Sequence, residues 1–290
     1  MKTLLITGIN GFLGSHLAHR LIRNYALTGL ESLQSSLDKI RDLAEDVQIY
    51  RYGQDDLEKL FSDHHVYGII HTATVYGRNQ TDIPKLLSSN LMMPIELISQ
   101  AIKHGTRCFL NTDTFINMPE SQLQYLNEYT RSKKHFLEWL HVFESSIQII
   151  NLKLHHQYGP GDALSKFIPS MIAELQQNTP DINLTPGKQR RDFIYVDDVV
   201  CAYETVLKQI DQIPSALTEM EVGTGTTTSI RTLVETMHQI TGSKSRLHFG
   251  ALSYREGEFM NSQANIKPLA ELGWKPQVTL EQGIRYTIEK

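Results

Sequence analysis

Residues 3–23 read TLLITGINGFLGSHLAHRLIR, and this stretch decides the fold. Thr3–Thr7 is apolar and β-rich, Gly8, Gly11 and Gly14 follow at three-residue spacing, and an apolar pattern of helical period then runs to Arg23. Glycines between a strand and a helix permit a tight turn, let the backbone approach a pyrophosphate and let helix pack closely on strand. The free N–H groups and positive end of such a helix favour phosphate. Glycine triplets also make ordinary turns, so it is the placement between strand and helix that points to a dinucleotide.

Working outward, further strands are predicted at 25–30 (YALTGL), 47–52 (VQIYRY), 67–73 (YGIIHTA), 108–112 (CFLNT) and 147–154 (IQIINLKL). Helical patterns separate them: DDLEKLFSDH at 55–64, a long one after Pro84, and one over Tyr129–Phe143. Strands alternating with helices predict an α/β fold, a Rossmann-type doubly wound parallel sheet. Past YGPGD (158–162) the elements shorten, and RDFIYVDDVVCAYETVL (191–207) reads as a strand and helix returning to the first layer. The expected division is residues 1–157 plus about 191–220 for the dinucleotide, and a smaller C-terminal lobe of 158–190 plus about 221–290 for substrate.

Chemistry shows first in EYTRSKK (128–134), where Tyr129 and Lys133 lie one helical turn apart on a shared face. A free tyrosine, with a pKa of about 10, is a poor proton donor near neutrality. A lysine cation nearby is expected to bring that value down. The same pair could decorate an exposed helix. In FLNTDTFIN (109–117), Thr112 ends a strand at the carboxyl edge, where α/β sheets place their ligands and where a hydroxyl can bond a substrate carbonyl or the tyrosine. Glu31 closes the second strand, where a carboxylate accepts from the adenosine ribose of NAD and repels a 2′-phosphate; no Arg or Lys stands between Arg23 and Lys39 to favour NADP.

The bulk properties exclude more than they assign. The 290 residues carry a net charge of −4, against the basic stripe expected of a nucleic-acid binder. The apolar start of the chain breaks at Gly8 and Asn10, too early for a signal peptide or membrane span, so a cytoplasmic protein is expected. Two cysteines, Cys108 and Cys201, fit a reducing compartment. The pairs His64–His65 and His155–His156 would face opposite sides of a strand, so no metal is expected. GTGTTTS (223–229) lacks the Gly-Lys-Ser/Thr of a phosphate loop and reads as a turn into a helix capped by Ser229. Met92 and Met93 read as core or subunit contacts.

These motifs, with YGPGD, RDFIYVDDVV, EVGTGTTTSI and REGE…LGWKP, resemble the extended short-chain dehydrogenase/reductases (the NAD-dependent epimerase/dehydratase family) acting on nucleotide sugars, along essentially the whole chain. HTATVYGRN, NTDTFIN, KLHHQYGPGD with KFIPSM, and HFGALSYREGE are most similar to the CDP-abequose and CDP-paratose synthase group. Those are NADPH-dependent 4-ketoreductases making dideoxyhexoses for bacterial surface polysaccharides (O-antigen).

The resemblance implies a catalytic set of Thr112, Tyr129 and Lys133, with Tyr129 and Lys133 also touching the cofactor. It implies a pyrophosphate lined by Gly8, Gly11, Phe12, Leu13 and Gly14. Arg191 and Arg255 would grip the diphosphate of a CDP- or dTDP-linked sugar, a task that suits a guanidinium fork. His156, where many relatives have Asn, would touch cofactor or substrate. Asp113 would orient a substrate hydroxyl or cap a turn. The helices near 85–104 and 129–143 would form a homodimer. Thr114 replaces the glutamate of the dehydratase motif Thr-Asp-Glu, which demotes elimination. Three readings stay open: a 4-ketoreductase, a 4-epimerase with retained NAD, and a non-catalytic dinucleotide sensor. The cofactor, NADP(H) by resemblance or NAD(H) by Glu31, also stays open.

Overall fold

The computed structural model describes residues 1–77, 82–117 and 127–289. Arg78 and Asn79 of the HTATVYGRN segment lie outside them. The chain begins β1 Thr3–Thr7, α1 Phe12–Leu21, β2 Ala26–Glu31, β3 Val47–Arg51, α2 Leu57–His64 and β4 Val66–His71. It continues α3 Ile83–Leu87, α4 Met93–Lys103, β5 Cys108–Thr114, α5 Asn127–Phe143 and β6 Gln148–Leu154. Then come β7 His156–Tyr158, α6 Phe167–Gln176, β8 Asp181–Leu184, β9 Arg190–Arg191, β10 Phe193–Tyr195 and α7 Val196–Lys208. The last elements are β11 Leu217–Val222, β12 Thr228–Ser229, α8 Ile230–Thr241, β13 Arg246–Phe249, β14 Asn261–Ser262, α9 Lys267–Glu271 and α10 Leu280–Glu289.

Seven strands form one sheet in the order β11-β6-β5-β4-β1-β2-β3. β1 pairs in parallel with both β2 and β4, so the strand order reverses there. Open α/β sheets bind ligands at the carboxyl ends of strands beside such a switch point. Leu4, Leu5 and Ile6 of β1 are fully buried, as in a strand covered on both faces. One core cluster joins Leu5 and Ile69 of the sheet to Leu97 and Ile98 of α4 and Phe136 and Leu140 of α5.

The chain falls into two compact units, Met1–Lys153 with Val206–Met220, and Leu154–Thr205 with Glu221–Lys290. Return to the first unit thus comes at 206 rather than near 191. The cause is strand pairing: β9 pairs with β12 and β14, and β10 with β7, which holds residues 190–195 in the second unit. The sequence pattern showed a strand and helix there but carried no information on their partners.

Among the described residues no helix is long and apolar enough to cross a membrane. No group of three His, Cys, Asp or Glu is placed to hold a metal among them. Both cysteines are free thiols, and burial pushes Cys108 up to about 12.

Candidate active site

The glycine loop is fixed by sterics. Gly8 has φ +65° and donates its N–H to Leu30 O at 2.9 Å; Gly11 N–H returns to Gly8 O at 2.8 Å. A Cβ on Gly14 would stand 2.1 Å from Gly8 O, one on Gly11 2.9 Å from the same atom, and one on Gly8 2.9 Å from Ala73 Cα. Ala73 follows β4, so the loop sits at the β1/β4 switch point. Gly11 caps α1 without any side-chain bond, so the first-turn N–H groups receive no capping side chain. Leu13 is buried and can offer a phosphate its backbone N–H. Phe12 is half-buried, its ring edge-on to His16 at 5.4 Å. This cradle, with its uncapped helix end, fits a dinucleotide pyrophosphate.

Glu31 does something the sequence did not suggest. Its side chain is buried, and Oε1 accepts the backbone N–H of Asn10 at 2.6 Å. Asn10 in turn accepts from Lys39 N at 2.8 Å, so the carboxylate ties the glycine loop to the segment after β2. Arg51 is Glu31's register partner across β2 and β3, and its Nη1 donates to Ser32 O and Ser35 O at 2.8 and 2.9 Å. A search for basic residues within 24–38 alone could not find this arginine, because the sheet supplies it.

α5 carries its buried stripe on Tyr129, Ser132, Lys133, Phe136 and Leu140. Tyr129 and Lys133 therefore face the core, and the exposed-helix alternative fails. Lys133 Nζ donates to the Thr112 carbonyl at 2.8 Å, joining α5 to the end of β5. The Tyr129 hydroxyl meets the hydroxyl of Thr114, two residues on from Thr112. Side chains two apart on a strand share a face, so period-two reading of β5 could have raised Thr114 beside Thr112. The Tyr76 ring lies 4.9 Å from that of Tyr129. Asn90 was also missed; it is buried and bonds Val75 O at 2.9 Å and the Ser132 hydroxyl at 3.0 Å, pinning the segment after β4 to α5.

The expected lowering of Tyr129 by Lys133 is not found. Burial pushes the Tyr129 phenol well above its usual value, Tyr76 and Asp113 add to the rise, and only the Thr114 hydroxyl opposes it. Burial lowers Lys133, and the Asp113 charge works against that. Asp113 itself is buried and accepts from Thr114 N, Asn117 Nδ2 and Asn151 Nδ2 at 2.8, 2.9 and 2.9 Å. Both of its oxygens are thus engaged at the end of β5.

The second unit holds the remaining expected residues. Arg191 is buried and ion-pairs Glu258 at 2.5 Å, and Glu258 N–H bonds Arg255 O at 3.2 Å. β9 and β14 pair, with Ser262 opposite Arg191. The two arginine-bearing segments are thus joined, with Arg255 itself exposed. The His156 ring meets Phe193 edge-on at 5.6 Å. Burial, then the nearby Arg191 charge, hold that imidazole well below its usual pKa, so it is neutral.

A cradle shaped for pyrophosphate and a proton-retaining tyrosine in one unit are the equipment of a dinucleotide-dependent oxidoreductase of the short-chain type. The chain belongs to the NAD dependent epimerase/dehydratase family, whose profile matches residues 4–223. CDP-abequose synthase of Salmonella muenchen is 35% identical over 289 residues, covering 98% of this chain and 96% of that protein. dTDP-D-glucose 4,6-dehydratase of Mus musculus is 26% identical, covering 99% and 88%. Among solved structures, UDP-glucose 4-epimerase of Thermotoga maritima superposes with a TM-score of 0.85 at 22% identity, covering 99% of this chain and 97% of that one. That likeness confirms the fold.

Proposed function

We propose that this enzyme is a 4-ketoreductase of a CDP-linked 4-keto-deoxyhexose, using NADPH, in the synthesis of a bacterial surface polysaccharide. The observation that carries the reaction type is Tyr129, buried and holding its proton beside Thr114. Thr114 stands where the dehydratase motif carries its eliminating base. The full-length similarity to CDP-abequose synthase supports the CDP-linked sugar over a dTDP-linked one.

In this reading Thr112 donates a hydrogen bond to the C4 oxygen, and Tyr129 gives that oxygen its proton. A developing alkoxide is a far stronger base than a phenolate, so a tyrosine that keeps its proton at rest can still yield it there. Lys133, anchored on Thr112 O, supplies fixed positive potential at the end of β5. The dinucleotide, when bound on the glycine loop, supplies the hydride. Arg191 and Arg255 pair the substrate diphosphate, and His156 presents a neutral imidazole to the sugar. Glu31 has one oxygen engaged by Asn10 N–H, and Arg51 offers a cation for a 2′-phosphate, which supports NADPH.

A homodimer also fits the reading. Ile83, Leu87 and Met92 on the α3–α4 stretch, and Trp139 and Val142 on α5, are large, apolar and exposed, a pattern that a second copy of the chain would cover. Met93, by contrast, is core.

The deciding experiment incubates the enzyme with CDP- and dTDP-linked 4-keto sugars and each reduced dinucleotide, with NMR of the products. One equivalent of NADPH consumed per CDP-sugar reduced is the expected result. Product without cofactor consumption would make it an epimerase. No turnover on any sugar would leave a sensor.

A further inference from the structure

Asp113 has more around it than a turn cap needs. Asn151 Nδ2 bonds both Asp113 Oδ2 and Glu219 Oε2 at 2.9 Å, and Asn111 Nδ2 holds Asn151 Oδ1 at 2.7 Å. Asn117 Nδ2 bonds Asp113 and also reaches the Lys133 carbonyl at 3.4 Å. A polar chain therefore runs from the exposed Glu219 on β11 through buried residues of β6 and β5 to the catalytic helix, with Asp113 at its centre. Asn111, Asn117 and Asn151, like Asp113, are buried.

The charges in this chain do not all cancel locally. Glu219 is neutralised by Lys153, 2.8 Å away. His71, facing Lys133 from β4, is held well below its usual pKa by burial. Its tautomer is set as well: the Thr7 hydroxyl oxygen accepts from Thr72 N and Ala73 N, so its proton goes to His71 Nδ1. Among the described residues no carboxylate lies within ion-pair distance of Lys133. Asp113 is the buried carboxyl that acts on it, one residue beyond the Thr112 carbonyl that Lys133 bonds; burial raises the Asp113 pKa, and the Lys133 charge, then the hydrogen bonds Asp113 accepts, oppose that rise.

We infer that Asp113 is a positioning residue, the buried counter-charge that fixes Lys133 as a cation one helical turn from the proton donor Tyr129. An asparagine would accept the Thr114 N–H and cap the turn equally well, so the cap alone does not require a carboxylate. The charge does: burying an ammonium without an anion favours its neutral form. The inference rests on the reading of Tyr129 as proton donor.

The sign follows from the groups that face Asp113, namely Lys133 and Tyr129 on α5 and, through Asn151, Glu219 with its partner Lys153. Removing the anion lets Lys133 deprotonate and Tyr129 ionise at lower pH. Reduction needs both protonated, so the alkaline limb of the kcat/KM profile should move down in D113N, by about one pH unit. The experiment measures that profile for the wild type, D113N and N117A, with Y129F in parallel. N117A removes a hydrogen bond and keeps the charge, so its limb should stay in place. D113S, also neutral, replaces D113N if the latter fails to fold. A lower activity or melting temperature in the neutral variant with an unmoved limb overturns the inference, as does an equal shift in N117A. If Y129F turns over normally, the underlying reading falls and takes the inference with it. If Y129F is inactive and the limb stays put, the inference alone falls.

Discussion

The glycine loop and the arginine-bearing segments of the second unit, as the proposed function reads them, would bind anions with opposite materials. The first is made of backbone: three glycines whose Cβ atoms would collide with fixed main-chain atoms, opening a helix whose end no side chain caps. The second is made of long side chains, Arg191 on a two-residue strand and already paired to Glu258, and Arg255 in the loop before β14. A backbone site tolerates no substitution but discriminates only phosphate geometry. A side-chain site can be retuned by single exchanges, at the cost of desolvating a guanidinium that must then be paired.

The sharpest way to break the contrast is at the chemistry itself. Y129F removes the transferable proton, and turnover should fall by roughly two to four orders of magnitude with dinucleotide affinity little changed. Steady-state rates together with a fluorescence titration of the dinucleotide check both halves; near-normal turnover would remove Tyr129 from the mechanism.

Next in size are the arginines. R255A and R191A should each raise the KM for sugar nucleotide at a cost of about 2–5 kcal/mol, part of it from a phosphate left unpaired. Dinucleotide affinity should not follow. Removing Arg191 also strands Glu258, so R191A should melt earlier than the wild type. If both bind sugar nucleotide normally, the substrate is a simpler carbonyl compound.

On the backbone side, G14A places a methyl 2.1 Å from Gly8 O, and the loop must move. Overpacking of this kind costs about 1–3 kcal/mol. Dinucleotide affinity should drop about tenfold or more, with KM for the sugar nucleotide nearly unchanged. An unaltered Kd would mean that the loop bends without consequence.

What the sequence made legible follows the same division. The glycine loop was readable because its constraint is local, with strand, spacing and helix all contiguous. The Tyr129–Lys133 pair was readable because helical period places both on one face. Thr114, Asn90 and Arg51 were not found, since each acts through a partner brought by tertiary pairing: Tyr129 from α5, Ser132 from α5, and the β2 end from the sheet. The hydrogen-bond partners of Glu31 and Asp113 were not legible for the same reason. A carboxylate's identity is visible in a sequence, but which N–H it accepts from is not. That residues 191–205 fall in the second compact unit was not legible, because two- and three-residue strands have no pattern that names their partners.

Cofactor choice offers the smallest and most discriminating effect. Were Glu31 reading the ribose, replacing it with alanine would improve NADPH binding relative to NADH, through loss of repulsion. In the structure its carboxylate holds Asn10 N–H instead, so E31A should loosen the glycine loop and weaken both dinucleotides alike. Arg51 carries the opposite expectation. Its Nη1 is committed to Ser32 O and Ser35 O, which fixes the guanidinium against the segment after β2 and leaves the rest of the fork for a phosphate. R51A should therefore weaken NADPH by about tenfold, some 1.4 kcal/mol, and leave NADH within a factor of about two. Isothermal titration of both dinucleotides against the two variants separates the cases without relying on turnover. A selective gain of NADPH in E31A, with R51A indifferent, would return the ribose to Glu31 and the enzyme to NAD. A selective loss in R51A would put discrimination on a side chain presented by the sheet, beside a loop whose own backbone grips any dinucleotide.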